Sequence, residues 1–115
     1  MRMIVEYVLF KSPPGKSREE ILADAKLTVP KWQANKELVR KHYIESDDGY
    51  GGAFYIWPSR EAAERGHNAA WRAGVEQRTG STPVIRYFDL LMIVDNEAGK
   101  VTEYPATAEV FAPAK

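Results

Sequence analysis

The sequence predicts an α+β fold, a ferredoxin-like β-α-β-β-α-β sandwich with an antiparallel sheet and both helices on one face. Three observations carry this. Residues 38–57, LVRKHYIESDDGYGGAFYIW, read as two apolar-rich strands around a polar turn. Helix-start signals follow strand-like runs twice, at Ser17 and at Ser59. A second long apolar run, Val84 to Val94, completes the order.

The first strand spans about Met3 to Phe10, rich in Ile, Val, Tyr and Phe, with Glu6 its sole charge. The run Lys11-Ser12-Pro13-Pro14-Gly15-Lys16 ends it as a loop. Ser17 and Glu20 have the S-x-x-E spacing of a capping box, and Ile21, Leu22, Ala25, Val29 and Trp32 recur at helical intervals. Pro30 is expected to kink or restart this helix, because it lacks a backbone donor.

The hairpin strands follow, turning at Ser46-Asp47-Asp48-Gly49-Tyr50-Gly51. One helix is then expected from Ser59, its N-cap, to about Arg78. Its inward face would carry Ala62, Ala63, Gly66, Ala69, Ala70, Ala73 and Gly74. So small a face either sits close on the sheet or leaves a cavity, with His67 and Trp71 at its edge. After a turn at Thr79–Pro83, Val84 to Val94 reads as one long strand, and Val101 to Tyr104 is a candidate fifth. The domain is placed at residues 1–104, with 105–115 an Ala/Pro-rich tail, poorly ordered or docked on a partner.

At 115 residues the chain is one domain with room for a core. Its hydrophobic fraction of 44% and charged fraction of 28% are those of a globular protein. Sixteen basic and sixteen acidic residues cancel, which gives no electrostatic reason to expect nucleic acid or an anionic membrane as partner. Without cysteine there is no disulfide, thiol nucleophile or thiolate metal site. Two histidines and no ligand-spaced carboxylate cluster argue against a metal centre. Glu6 interrupts the N-terminal apolar run, so a strand is expected there rather than a signal sequence. No apolar run approaches the roughly 20 residues that span a bilayer, and the expected location is the cytoplasm.

Strand alternation organises the candidate site. If Ser46 lies opposite Gly51, His42 faces Tyr55 and Arg40 faces Trp57. A cation, an imidazole, a phenol and an indole would then share one surface. Arg40 could bind an oxyanion, His42 could move a proton, and the aromatics could stack on a planar substrate. The alternative is cross-strand pairing on a dimer-facing surface, and a bulge at Gly51-Gly52 would change the register. His67 and Trp71, four apart, form either the helix wall of a cleft or a half-buried helix-edge pair. Tyr7 is a further candidate for the cleft. Gly15-Lys16-Ser17 lacks the earlier glycine of a phosphate-binding loop, and Gly49-Tyr50-Gly51-Gly52 lies in a hairpin rather than before a helix.

Lys41 to Ser46, Gly51-Gly52-Ala53-Phe54-Tyr55-Ile56 and the helix opening Ser59-Arg60-Glu61-Ala62-Ala63 resemble the YdhR-like mono-oxygenase family of the dimeric α+β-barrel superfamily. The resemblance covers residues 36–75 best. It implies a homodimer and a cofactor-independent mono-oxygenase acting on a small aromatic or quinol-like compound. Strand parity and side-chain chemistry, rather than the resemblance, make His42, Arg40 and His67 the catalytic candidates, with Tyr7, Tyr55, Trp57 and Trp71 on the substrate, and no cofactor or metal is expected. The long apolar strand, which helices on one face cannot cover, independently suggests dimerisation. The same superfamily includes haem-degrading enzymes, which place an Asn on the first strand and a His on the second helix. Here Glu6 and Tyr7 stand where the Asn is expected, which leaves His67 alone as a candidate haem ligand. A non-catalytic small-molecule binding protein and a lactone isomerase are the alternatives on this scaffold.

Overall fold

The structure, a computed structural model, describes residues 2–105. The proposed tail, apart from Pro105, lies outside the described residues. The elements run β1 (Ile4–Lys11), α1 (Arg18–Ala34), β2 (Arg40–Glu45), β3 (Tyr50–Trp57), α2 (Arg60–Gly66), α3 (Ala69–Thr79), β4 (Val84–Asp89), β5 (Met92–Asp95) and β6 (Lys100–Glu103). Strands β2-β3-β1-β4 form a four-stranded antiparallel sheet in that order, the ferredoxin-like arrangement.

Alternation along the strands divides the sheet into two faces. Ile4, Glu6 and Val8 of β1 and Ala53, Tyr55 and Trp57 of β3 point to the helical side and are buried. Tyr87 and Ile85 of β4 join them, opposite Glu6 and Val8. Trp32 of α1 and Ala62 and Ala63 of α2 close this core. Each large apolar side chain fully buried there is worth about 1.5–3 kcal/mol. The other face carries Val5, Tyr7, Leu9, Phe54 and Phe88, and no element of the described chain is layered over it.

The capping box at the start of α1 is present: Glu20 N–H donates to Ser17 Oγ, and Ser17 N–H to the Glu20 side chain. The helix runs on through Pro30 rather than restarting there. Trp32 is its one buried side chain among the described residues, so the expected stripe of Ile21, Leu22, Ala25 and Val29 is only half covered.

The expected single helix from Ser59 is two. Ser59 caps α2, accepting from Ala62 N–H, and the helix stops at Gly66. His67 leaves helical geometry (φ −121°, ψ 63°), and Asn68 starts α3 by accepting from Trp71 N–H. The break redirects the small residues. Ala62 and Ala63 pack flush in the core, while Ala69, Ala70 and Ala73 are exposed. The seven-residue face expected of one helix does not exist as a unit.

The long final strand also divides. β4 ends at Asp89, and β5 pairs with β6 as a separate antiparallel ribbon. Two backbone hydrogen bonds fix the corner, Leu90 N–H to Met3 O and Tyr104 N–H to Leu91 O. The candidate fifth strand is β6. Its partner is the second half of the expected long strand rather than the main sheet.

Candidate functional site: a buried glutamate–histidine pair among aromatic rings

The hairpin register is one residue from the expected one. Ser46 N–H donates to Tyr50 O at 2.7 Å, which closes the turn around Asp47-Asp48-Gly49. Gly49 has φ +90°, the positive value that such a short loop needs at its last position. Pairing then runs through Gly51 and Gly52 as Glu45↔Gly51, Tyr43↔Ala53, His42↔Phe54, Lys41↔Tyr55 and Arg40↔Ile56. A shift of one residue exchanges the faces of a strand. Arg40 and His42 therefore lie on the open face, away from Tyr55 and Trp57. The expected cluster of those four does not form. Tyr7 is on the open face too, stacked on Phe54 with ring centroids 4.9 Å apart.

The other candidates do meet, on the helical side. Because α2 ends where it does, the His67 ring turns inward and is 1% exposed. It lies 4.5 Å from the Tyr55 ring, 4.3 Å from Trp71, 5.2 Å from Trp32 and 6.2 Å from Trp57, all edge-on or tilted. His67 and Trp71 thus touch as expected, although Asn68 opens a new helix between them. Gly66 makes the close approach of α2 to the sheet feasible. A Cβ there would stand 2.6 Å from Trp57 Cη2.

At the centre is Glu6, fully buried. Its Oε1 receives Trp57 Nε1–H at 2.9 Å and lies 2.8 Å from His67 Nδ1. Indole nitrogen only donates, and an ionised carboxylate only accepts. Two donors converging on one oxygen are best satisfied by a carboxylate, with the imidazole proton on Nδ1. His67 Nε2 then holds the lone pair. Among the described residues Nε2 has no hydrogen-bond partner, nor have Glu6 Oε2 and the Tyr87 hydroxyl. Unpartnered polar atoms in a dry interior are costly, and they cluster where a protein does chemistry. Burial, followed by the Glu6 charge, raises the pKa of both Tyr55 and Tyr87 above the usual phenol value, so both stay neutral donors near neutral pH.

A cavity of about 450 Å³ adjoins this cluster. Trp32 and Asn35 of α1 form one wall, and Gly66, Asn68, Ala70 and Trp71 form the other. The residues on either side of His67 in sequence thus line it, and two of the rings packed on His67 form its walls. Lys31 and Arg65 supply positive charge at its edge, and Arg65 is itself paired with Glu37. The small-residue helix leaves space here, at Gly66 and Ala70, and fills it at Ala62 and Ala63.

The sequence reading passed over two residues of the site. Glu6 was visible as the sole charge in an apolar strand, on the same parity as Ile4 and Val8, which marks a buried carboxylate in need of a partner. Trp32 was placed in a helix stripe without a role. Among the described residues no group of three or more His, Asp or Glu side chains could hold a metal ion, and no helix is long and apolar enough to cross a membrane.

No protein-family model and no curated protein matches the sequence. Solved structures do share the fold. A protein of Nitrosomonas europaea of unknown function aligns with a TM-score of 0.63 at 22% identity, covering 79% of this chain and 91% of that one. A monooxygenase of Streptomyces coelicolor, solved with nanaomycin D bound, aligns with a TM-score of 0.59 at 16% identity over 77% of this chain and 88% of its own. A Caulobacter crescentus protein whose name proposes an antibiotic biosynthesis monooxygenase aligns at 0.56 and 19% identity over 78% and 91%. The chain thus has the ferredoxin-like α+β fold of the antibiotic biosynthesis monooxygenase structures. At these identities the likeness is one of fold.

Proposed function

We propose that the protein is a cofactor-independent mono-oxygenase of small phenolic or quinol-like aromatic compounds, with His67 Nε2 as the base. The observation that carries this reading is the buried pair itself. Glu6 holds the His67 proton on Nδ1 and so frees Nε2, inside a box of four aromatic rings beside a cavity sized for a small ligand. A phenol entering from the cavity, with the Trp71 ring turned aside, would give its proton to Nε2. The imidazolium would be stabilised by the Glu6 carboxylate. The resulting phenolate is electron-rich and reduces dioxygen. One oxygen atom enters the ring, the displaced ring hydrogen and the phenolic proton leave in water with the other, and the product is a quinone. The balance is a phenol plus O₂ giving a quinone plus H₂O. Neutral Tyr55 and the exclusion of water favour a naked phenolate over a hydrated one.

The fold neighbours support the reading in outline. The Streptomyces coelicolor structure shows that this scaffold can hold an aromatic compound in a monooxygenase. The resemblance of residues 36–75 to the YdhR-like family points the same way. The reading also pairs the open face of the sheet, with Tyr7, Phe54 and Phe88, against a second copy of the chain, as in the dimeric barrels. His42 and Arg40 lie on that face, so any part they take in chemistry would be at the joint between copies.

One observation favours the binding-protein alternative: the His67 ring presents almost no surface to the cavity. The test is oxygen consumption and quinone formation from a panel of naphthols and hydroquinones, by the wild type and by His67→Gln. The base role predicts a fall of roughly 10²–10⁴-fold in kcat with ligand binding retained. Binding without oxygen uptake in either protein would make this a binding module. Turnover that persists under nitrogen would favour an isomerase.

A further inference from the structure

Lys41 stands apart from the glutamate–histidine pair, and its surroundings are unusual for a lysine. It points to the helical side of β2, opposite Tyr55. Its Nζ lies 3.8 Å from the centroid of the Tyr43 ring, 4.6 Å from Trp32 and 4.9 Å from Tyr55. Among the described residues it has no carboxylate partner. The Tyr43 hydroxyl is engaged by Thr28 at 2.6 Å, which holds that ring in place. A second cavity, about 270 Å³, opens between α1 and β2 and is lined by Val29, Trp32, Leu38, Arg40, Lys41 and Tyr43 among others. That volume exceeds the roughly 150 Å³ that admits a benzene ring.

We propose that Lys41 is a carbonyl-capture site, forming a reversible imine with a small aromatic aldehyde seated in this second cavity. The aromatic walls suit a flat ring, and the amine projects among them. The Nζ lone pair attacks the aldehyde carbon, and a carbinolamine forms as the C–N bond is made and the C=O π pair moves to oxygen. Loss of that oxygen as water, with both its hydrogens coming from the original amine, leaves the C=N bond. No oxidant or cofactor is required.

The nucleophile must be the neutral amine, and the local groups favour it. Burial among the rings, followed by the Lys31 ammonium on α1, lowers the Lys41 pKa from 10.5 to about 7. Opposite it on β3, Tyr55 is held neutral by its own burial, and the ring faces of Tyr55 and Tyr43 attract the ammonium in the opposing sense. A lysine of ordinary pKa is neutral in only about one molecule in three thousand at pH 7. The amine of Lys41 is neutral in about half.

The experiment is trapping with benzaldehyde and cyanoborohydride at pH 7 on the intact chain, followed by peptide mass spectrometry. Lys41 should carry the benzyl adduct at least about ten-fold above every other lysine, and the preference should vanish in urea, where all lysines titrate alike. A folded Lys41→Arg protein should lose the saturable part of the labelling. Its His67-dependent turnover should be kept, which separates the two sites. Adducts spread evenly over the exposed lysines of the folded wild type, or an unlabelled Lys41, would overturn the assignment.

Discussion

Glu6 Oε1 lies 2.8 Å from His67 Nδ1, although the two residues are 61 positions apart in sequence. One comes from the middle of the first strand and the other from a two-residue break between helices. Among the described residues the other side-chain partner of the pair is Trp57, which donates to the same oxygen. Removing Glu6 would leave His67 Nδ1 unpartnered in a dry core, and removing His67 would leave the buried carboxylate with the indole donor alone, each a loss of several kcal/mol.

Glu6→Gln keeps the shape and an acceptor but removes the charge that fixes the His67 tautomer. On the proposed mechanism kcat should fall by roughly 10²-fold, with KM little changed. Unchanged kcat in a folded Glu6→Gln protein would detach the pair from the chemistry.

Gly66→Ala tests the approach of α2 to the sheet. The new Cβ would meet Trp57 Cη2 at 2.6 Å, so overpacking should cost about 1–3 kcal/mol in urea unfolding. Gly74→Ala is the control. It lies within α3 with nothing within 4 Å of the added carbon, and should stabilise by up to about 1 kcal/mol. Equal effects of the two would show that α2 does not depend on this contact.

Lys41 gives stability a pH dependence of definite sign. Its pKa is about 7 folded and ordinary unfolded, so between those values the unfolded chain binds more protons. Stability must then rise with pH from about 7, by at most about 1.4 kcal/mol per pH unit from this group. Above about pH 10 the raised pKa values of Tyr55 and Tyr87 act in the opposite sense, since the unfolded phenols ionise first. Urea titrations at pH 7 and 9 should show the rise in the wild type and its loss in Lys41→Met. A rise of the same size in the variant would place the effect elsewhere.

Phe54→Asp tests the open face. The ring is 40% exposed and stacks on Tyr7, at the centre of the apolar surface. If two copies pair there, a carboxylate should weaken the dimer by about 2 kcal/mol or more, some 30-fold in Kd. Sedimentation equilibrium reads this directly. A wild type that stays monomeric at micromolar concentration would remove the pairing altogether.

The element order and sheet face were readable because each rests on local chemistry: the Ser17 and Ser59 caps, and the alternation in β1 and β3. What was misplaced depended on single residues. Asn68 is a strong N-cap candidate directly after Gly66-His67, and that sequence marks a helix boundary that the run of alanines concealed. Aligning Ser46 with Gly51 put one residue too many in the hairpin loop and moved Arg40 and His42 to the wrong side. The Glu6–His67 contact is different in kind. It joins segments that periodicity does not connect, and only the parity of a lone charge in β1 hinted at it.

The loop Asp47-Asp48-Gly49 is therefore a switch in the hereditary sense. Adding one residue to it, with β3 held between β2 and β1, would rotate β2 by half a turn. Lys41 and Tyr43 would go to the open side and Arg40 and His42 would come in beside Tyr55 and Trp57. The inward residues of β2 would change from amine and phenol to guanidinium and imidazole without a substitution in any strand. A single codon inserted at a surface turn would thus rewrite the chemistry of the interior, which makes variation in this loop's length a more telling guide to divergence among such proteins than variation in the strands it joins.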